Sequence, residues 1–126
     1  MEIAFLIGRI VLGGYFLISA VNHYTKTDML AGYAQMRGVH AGRGAVLFSG
    51  LFLVLGGLGV LLGVWTDIAL ALLIIFLVAV SIRIHHFWTD TDPNQKMSEM
   101  INFTQNMALI GALLMLYMVP NWPYSL

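Results

Sequence analysis

Long apolar runs separated by short polar segments dominate the chain. A helix needs about 20 mostly apolar residues to cross the hydrocarbon core of a bilayer. Stretches of about that length run over residues 3–21, 44–66, 68–87 and 101–119. Because lipid offers the backbone no hydrogen-bond partners, such spans form helices. The pattern therefore predicts an all-α integral membrane four-helix bundle, built as one domain over residues 1–126.

The segment between the first two spans, residues 22–43, is the longest connection and has a helical pattern of its own. Thr27 is a suitable N-terminal cap and Gly38 a suitable terminator. The apolar residues between them that share one face are Met29, Leu30, Tyr33 and Met36. We predict an amphipathic helix on the membrane surface here, with an irregular loop as the alternative.

Composition agrees with a membrane protein. The chain is 60% hydrophobic and 10% charged, whereas soluble domains average about 25% charged residues. Six Lys and Arg balance six Asp and Glu, so no basic surface for nucleic acid is expected. The absence of cysteine excludes disulfides, thiolate catalysis and iron–sulfur clusters. The N-terminal span lacks the basic start of a signal peptide, and we expect it to be retained as a helix.

Basic residues in the connections predict the orientation. Lys26, Arg37, Arg43 and Lys96 lie in the two longer loops, and no Lys or Arg lies outside the spans on the other side. The positive-inside rule therefore places both loops in the cytoplasm and both termini outside it.

Small residues in the second span predict close helix packing. Gly59 and Gly63 have the GxxxG spacing of helix-association motifs. The contact is either within the chain or with another copy, and the sequence leaves both open.

Polar residues collect near the loop-side ends of three spans. The first span ends at His23, the third at Arg83, and the fourth begins with three amides on one predicted face. The candidate ligand-binding residues are Arg83, His85, His86, Asn102, Gln105, Asn106 and His23. They predict a pocket for a polar head group such as a quinone, with histidine able to exchange protons. The alternative is that Arg83 snorkels and the other side chains satisfy one another.

Metal or haem ligation is not predicted. His85 and His86 are adjacent, so on a helix they diverge by about 100° and do not share an ion. Arg9, inside the first span, needs a polar partner because a charge in the bilayer is costly. We expect a structural ion pair with Asp67, with Glu2 as the other candidate.

Two motifs resemble the DoxX family of small membrane proteins, which is similar to the small subunit of thiosulfate:quinone oxidoreductases. The run 85–88 resembles the family's HxFW motif, and residues 102–111 resemble NFxKNLALxGG. Arg9 followed by Gly13 and Gly14 is similar to its first-helix signature. Gln105 stands where the family often has lysine, and residues 44–66 lack the acidic residue of many relatives.

The resemblance implies an inner-membrane protein of quinone metabolism that acts in a larger complex or as a homo-oligomer. We expect a small accessory subunit of a quinone-linked redox complex, with no complete catalytic centre and no intrinsic cofactor, and with quinone as the expected ligand. A non-catalytic structural or assembly protein is the main alternative. An oligomeric transporter or channel is the other.

Overall fold

The computed structural model describes residues 2–40 and 42–124. These residues form five α-helices and one 3-10 turn. The helices are α1 (Glu2–Thr25), α2 (Thr27–Met36), α3 (Gly42–Leu62), α4 (Thr66–Arg83) and α5 (Pro93–Leu116), and the 3-10 turn is Phe87–Thr89. The described part of the chain contains no strand, so the predicted all-α class is confirmed.

Three segments are long and apolar enough to cross a membrane: Glu2–Thr25, Gly42–Leu62 and Thr66–Thr89. The first three predicted spans correspond to them. Helix α5 is long enough for a crossing but begins at Pro93, well before the predicted start at 101, and its first half is polar. A fourth crossing therefore remains a prediction.

The long helices pack in the order α1, α3, α4, α5, each against the next, and α2 packs against α1 and α3. Their shared core contains Phe16, Leu53, Leu70, Leu73 and Leu113, all buried. Because α1 is in close contact with α3 rather than with α4 or α5, space remains between α1 and α4 at the end of the bundle where α2 lies. We call this end the α2 end.

Close approach between α1, α3 and α4 depends on glycine. A Cβ atom on Gly59 would lie 2.4 Å from the Cβ atom of Ala69, and one on Gly13 would lie 3.0 Å from the carbonyl oxygen of Gly57. The first residue of the GxxxG pair therefore packs within the chain. The second, Gly63, has a φ angle of 71° in the turn between α3 and α4, a conformation that favours glycine.

The helix predicted between the first two spans is present as α2, and Gly38 follows its end with a φ angle of 99°. Thr27 does not cap it. Lys26 occupies the N-cap position, and the Thr27 hydroxyl donates to the carbonyl of His23 instead, 2.6 Å away. The inward face of α2 carries Thr27, Ala34 and, just past its end, Arg37, all buried.

Helix α4 ends at Arg83, before the predicted end of the third span at 87. His85 and His86 thus lie in a non-helical segment rather than on a helix. Three aromatic rings join this segment to α5: Phe103 lies 5.5 Å from Phe87 and 5.6 Å from Trp88, measured between centroids. Asp92 is the N-cap residue of α5 and Pro93 its first residue, where proline is favoured.

Candidate functional site

An apolar cavity of about 670 Å³ opens at the α2 end between α1, α3 and α4. Its volume lies in the range of small-molecule sites, about 300–1,000 Å³. Phe16, Val46 and Leu77 supply buried apolar walls. The polar residues on its lining are Tyr15, Ser19, His23, Tyr33, His40, Ser49, Arg83, His85 and Asn106.

The carboxylate of Glu99 lies at the centre of a polar network beside the cavity. The residue is 3% exposed. Its Oε1 accepts hydrogen bonds from the Tyr33 hydroxyl at 2.8 Å and from the Asn102 amide at 3.3 Å. Its Oε2 lies 2.8 Å from Nδ1 of His85. The carboxylate therefore joins α2, α5 and the segment after α4.

Arg37 closes the other side of this network. Its guanidinium binds Asp90 through two contacts, 2.6 Å from Nη1 to Oδ1 and 3.1 Å from Nη2 to Oδ2. Its Nε donates to the carbonyl of Ile84 at 2.6 Å, and Nη2 lies 3.7 Å from Oε2 of Glu99. Two-point binding of this kind is a strong, directional form of ion pair. It fixes the end of α2 against the connection between α4 and α5.

His86 completes the attachment of α2. Its Nε2 lies 3.0 Å from the carbonyl oxygen of Arg37. Since a carbonyl oxygen only accepts, Nε2 carries the hydrogen and Nδ1 is left as an acceptor. Nδ1 lies 2.6 Å from the hydroxyl of Thr89 and 3.4 Å from Nη2 of Arg37. This imidazole is held in place by the protein on both edges.

The network shifts the pKa values of its members. Burial, together with the hydrogen bond to Glu99, raises the pKa of Tyr33 to about 12. The hydrogen bond from Arg37 lowers the pKa of Asp90. For Glu99, burial favours the neutral acid, but the hydrogen bonds from His85, Tyr33 and Asn102 outweigh it, and the pKa lies below its ordinary value. Tyr33 is thus a stable donor, and both carboxylates are ionised at neutral pH.

Tyr33 and His85 belong both to the polar network around Glu99 and to the lining of the cavity. Each contacts Glu99, and each lines the cavity. The apolar cavity therefore ends at a hydrogen-bonded carboxylate that touches two of its lining residues. This arrangement can orient a polar head group at the α2 end while an apolar tail lies between the helices.

The predicted site residues fall into three groups. His23, Arg83, His85 and Asn106 line the cavity. Asn102 binds Glu99, and His86 lies beside a second cavity of about 460 Å³ that also borders Arg37 and Arg83. Gln105 borders neither cavity, because it lies on the exposed side of α5 while Asn106 is buried.

Four residues of the network were not predicted from the sequence as site residues: Tyr33, Arg37, Asp90 and Glu99. Three of them lie in connections or in α2, where a polar side chain is ordinarily solvated. Glu99 had a detectable signal. It stands three residues before Asn102 and seven before Asn106, so the three share one helical face.

Arg9 does not form the predicted ion pair with Asp67. Its guanidinium instead donates to the carbonyl oxygens of Val60 at 3.2 Å, of Leu61 at 2.9 Å and of Pro123. It also lies 5.7 Å from the ring centroid of Trp122. The end of α3 and the segment after α5 thus satisfy this buried cation, because carbonyls at a helix end lack intrahelical partners.

Within residues 2–40 and 42–124, no cluster of three or more histidines or carboxylates is arranged to hold a metal ion. The DoxX family profile matches residues 4–87, two thirds of the chain's 126 residues. The match covers α1 to α4 and ends at the segment that holds His85 and His86. The resemblance of residues 102–111 to the family lies outside it. No curated protein and no solved structure gives a significant match.

Proposed function

As the chain belongs to the DoxX family of membrane proteins, we propose that it is a small accessory subunit of a quinone-linked redox complex that binds a quinone-type head group in the cavity at the α2 end. The observation that carries the proposal is the junction of an apolar cavity of about 670 Å³ with the network around Glu99. Quinone-type molecules combine an apolar tail with a ring that bears two polar oxygens. The cavity offers a matching environment for each part.

The cavity's chemistry fits such a molecule. Its walls are mainly aliphatic and aromatic, and its polar residues include His23 near the end of α1 and Arg83 and His85 at and just past the end of α4. His85 is half-buried and backed by the carboxylate of Glu99, as in other sites where a histidine exchanges protons with a bound group. A bound quinone would supply the electron-accepting ring, and the chain's own residues would bind and orient it. Electrons would have to come from a partner subunit.

The experiment that tests this proposal is mass spectrometry of small molecules retained by the protein purified in mild detergent. Wild type is compared with His85→Phe, which fills part of the cavity edge, and with Gln105→Ala, an exposed residue of the neighbouring helix, as a control. We expect one quinone-type molecule per chain in wild type and control, and its loss in His85→Phe at an unchanged elution volume. Bulk lipid alone, equal in all three, would favour the structural or assembly role.

The orientation is part of the same proposal. We place the α2 end in the cytoplasm and the termini outside, in the inner membrane, with α5 as a fourth crossing. Because the chain has no cysteine, single cysteines at the exposed positions Thr91 and Asn121 report the two sides cleanly. We expect an impermeant maleimide to label Asn121→Cys in intact spheroplasts and Thr91→Cys only after lysis. The reverse pattern would overturn the orientation.

A further inference from the structure

Two hydroxyl groups on the cavity lining have their hydrogen committed inside the protein. The Tyr33 hydroxyl donates to Oε1 of Glu99 at 2.8 Å, and the Ser49 hydroxyl donates to the carbonyl oxygen of Val46 at 3.1 Å. A hydroxyl has one hydrogen and two lone pairs. Toward a ligand in the cavity, the oxygen atoms of Tyr33 and Ser49 therefore act as hydrogen-bond acceptors.

Two of the three imidazoles on the lining, those of His23 and His85, are in the same condition. Nδ1 of His23 lies 2.9 Å from the carbonyl oxygen of Ser19, and Nδ1 of His85 lies 2.8 Å from Oε2 of Glu99. Carbonyl and carboxylate oxygens only accept, so Nδ1 carries the hydrogen in both rings, and the neutral ring has its lone pair on Nε2. Neither Nε2 atom has a hydrogen-bond partner in the parts of the chain that the structure describes.

Glu99 is the positioning residue for this arrangement. An ionised carboxylate fixes the tautomer of His85 and also holds the hydrogen of Tyr33. The hydrogen bonds that lower the pKa of Glu99 keep it ionised at neutral pH. A protonated acid would instead be able to donate to one of these partners, and Tyr33 or His85 would no longer be fixed as an acceptor toward the cavity.

We propose that the cavity recognises its ligand through hydroxyl groups that the ligand donates, so that it prefers the hydroquinone form of a quinone-type molecule to the oxidised quinone. A quinone offers two carbonyl oxygens, which only accept and so leave Tyr33, His23 and His85 without a complementary partner. A hydroquinone offers two hydroxyl hydrogens. The inference rests on the proposed function and adds the redox form that the site selects.

Donors on the lining do not reverse this preference. Asn106 and Arg83 have hydrogens to give, as do the hydroxyls of Tyr15 and Ser19 and the imidazole of His40. Arg83 is mainly exposed at the end of α4, where water competes for its hydrogen bonds. A hydroquinone oxygen also accepts, so it can use the Asn106 amide while donating to an imidazole. The hydroquinone therefore satisfies both kinds of lining group, and the quinone satisfies only one.

The test measures binding of tetramethylhydroquinone, tetramethylbenzoquinone and the dimethyl ether of the hydroquinone to the full chain in lipid nanodiscs. Measurements are made anaerobically at pH 8 and are corrected with empty nanodiscs. The ether has the same ring without donor hydrogens. We expect the hydroquinone to bind about tenfold more tightly than either other probe, as two added neutral hydrogen bonds imply.

Variants identify the atoms responsible. His85→Phe and, on a different helix, His23→Phe should each reduce the preference severalfold, whereas Gln105→Ala should leave it unchanged. Equal or tighter binding of the quinone by wild type would overturn this inference and leave the proposed function standing. No saturable binding of any probe would overturn both. A preference for the hydroquinone that persists in both histidine variants would also overturn the assignment to these rings.

Discussion

Nδ1 of His85 lies 2.8 Å from Oε2 of Glu99, across the connection between α4 and α5. This contact places an imidazole of the cavity lining on a buried carboxylate. The same carboxylate accepts the hydroxyl of Tyr33 from α2. One side chain therefore determines the hydrogen-bonding character of two others, and it also attaches α2 to the bundle.

Glu99→Gln should destabilise the α2 end. The amide has one acceptor oxygen, so it cannot accept from both Tyr33 and His85 while its NH₂ group faces Arg37. Leaving a buried polar partner unsatisfied costs about 1–3 kcal/mol. We expect a correspondingly lower free energy of unfolding in detergent. Asp92→Asn, at the exposed N-cap of the same helix, is the matched control and should be neutral.

Equal stability of Glu99→Gln and wild type would show that the network does not contribute to folding. In that case the polar attachment of α2 to the connection between α4 and α5 would rest on the contacts of Arg37 with Asp90, Ile84 and His86.

Stability should decline at alkaline pH because of Tyr33. Its folded pKa of about 12 lies above its ordinary value of 10.0. Stability from this phenol is fully present below pH 10 and is lost as the pH rises toward 12. Tyr33→Phe should therefore flatten the alkaline decline of the urea midpoint, whereas Tyr124→Phe, in the exposed tail, should not. Identical alkaline profiles for the two variants would contradict this account.

The carboxylates of the same network should make folding stability decline at acidic pH. Asp90 and Glu99 have folded pKa values below their ordinary values of 3.8 and 4.5. Their contribution to folding stability is fully present above these ordinary pKa values. It is lost as the pH falls through the lower pKa values of the folded state.

Gly59→Ala should lower the melting temperature. The new methyl group would meet the Cβ atom of Ala69 at 2.4 Å, so α3 and α4 would have to separate. Overpacking of this kind typically costs about 1–3 kcal/mol. Gly14→Ala is the control, because nothing lies within 4 Å of its added Cβ atom, and alanine is the better helix former by about 1 kcal/mol. Equal effects in the two variants would contradict the close α3–α4 contact.

The pattern of apolar and polar residues was sufficient to predict much of the fold. The apolar length of residues 3–21 and 44–66 predicted α1 and α3, and the pattern around Tyr33 predicted α2. The end of α4 was not predicted correctly. Apolar length does not report where a helix stops, and the segment after Arg83 leaves the helix to place His85 and His86 against α5 and α2.

The candidate site could be predicted only in part from the sequence. His23, His85 and Asn106 were found because polar groups in or beside a span are rare and stand out. The partners of Arg37 and Arg9 were not found. Arg37 meets Asp90 only because the chain folds back over 53 residues, and Arg9 binds backbone carbonyls, which no side-chain pattern reveals.

The most direct test of the central claim, a head-group site in the cavity at the α2 end, is photo-crosslinking. An azido-benzoquinone is irradiated with the protein in native membranes, and the modified residues are mapped by mass spectrometry. We predict adducts in segments 15–23, 30–40 and 76–85, which line the cavity, and their loss when unlabelled hydroquinone is added. Adducts spread over exposed apolar residues such as Ile3 and Met115, unaffected by the competitor, would contradict the account.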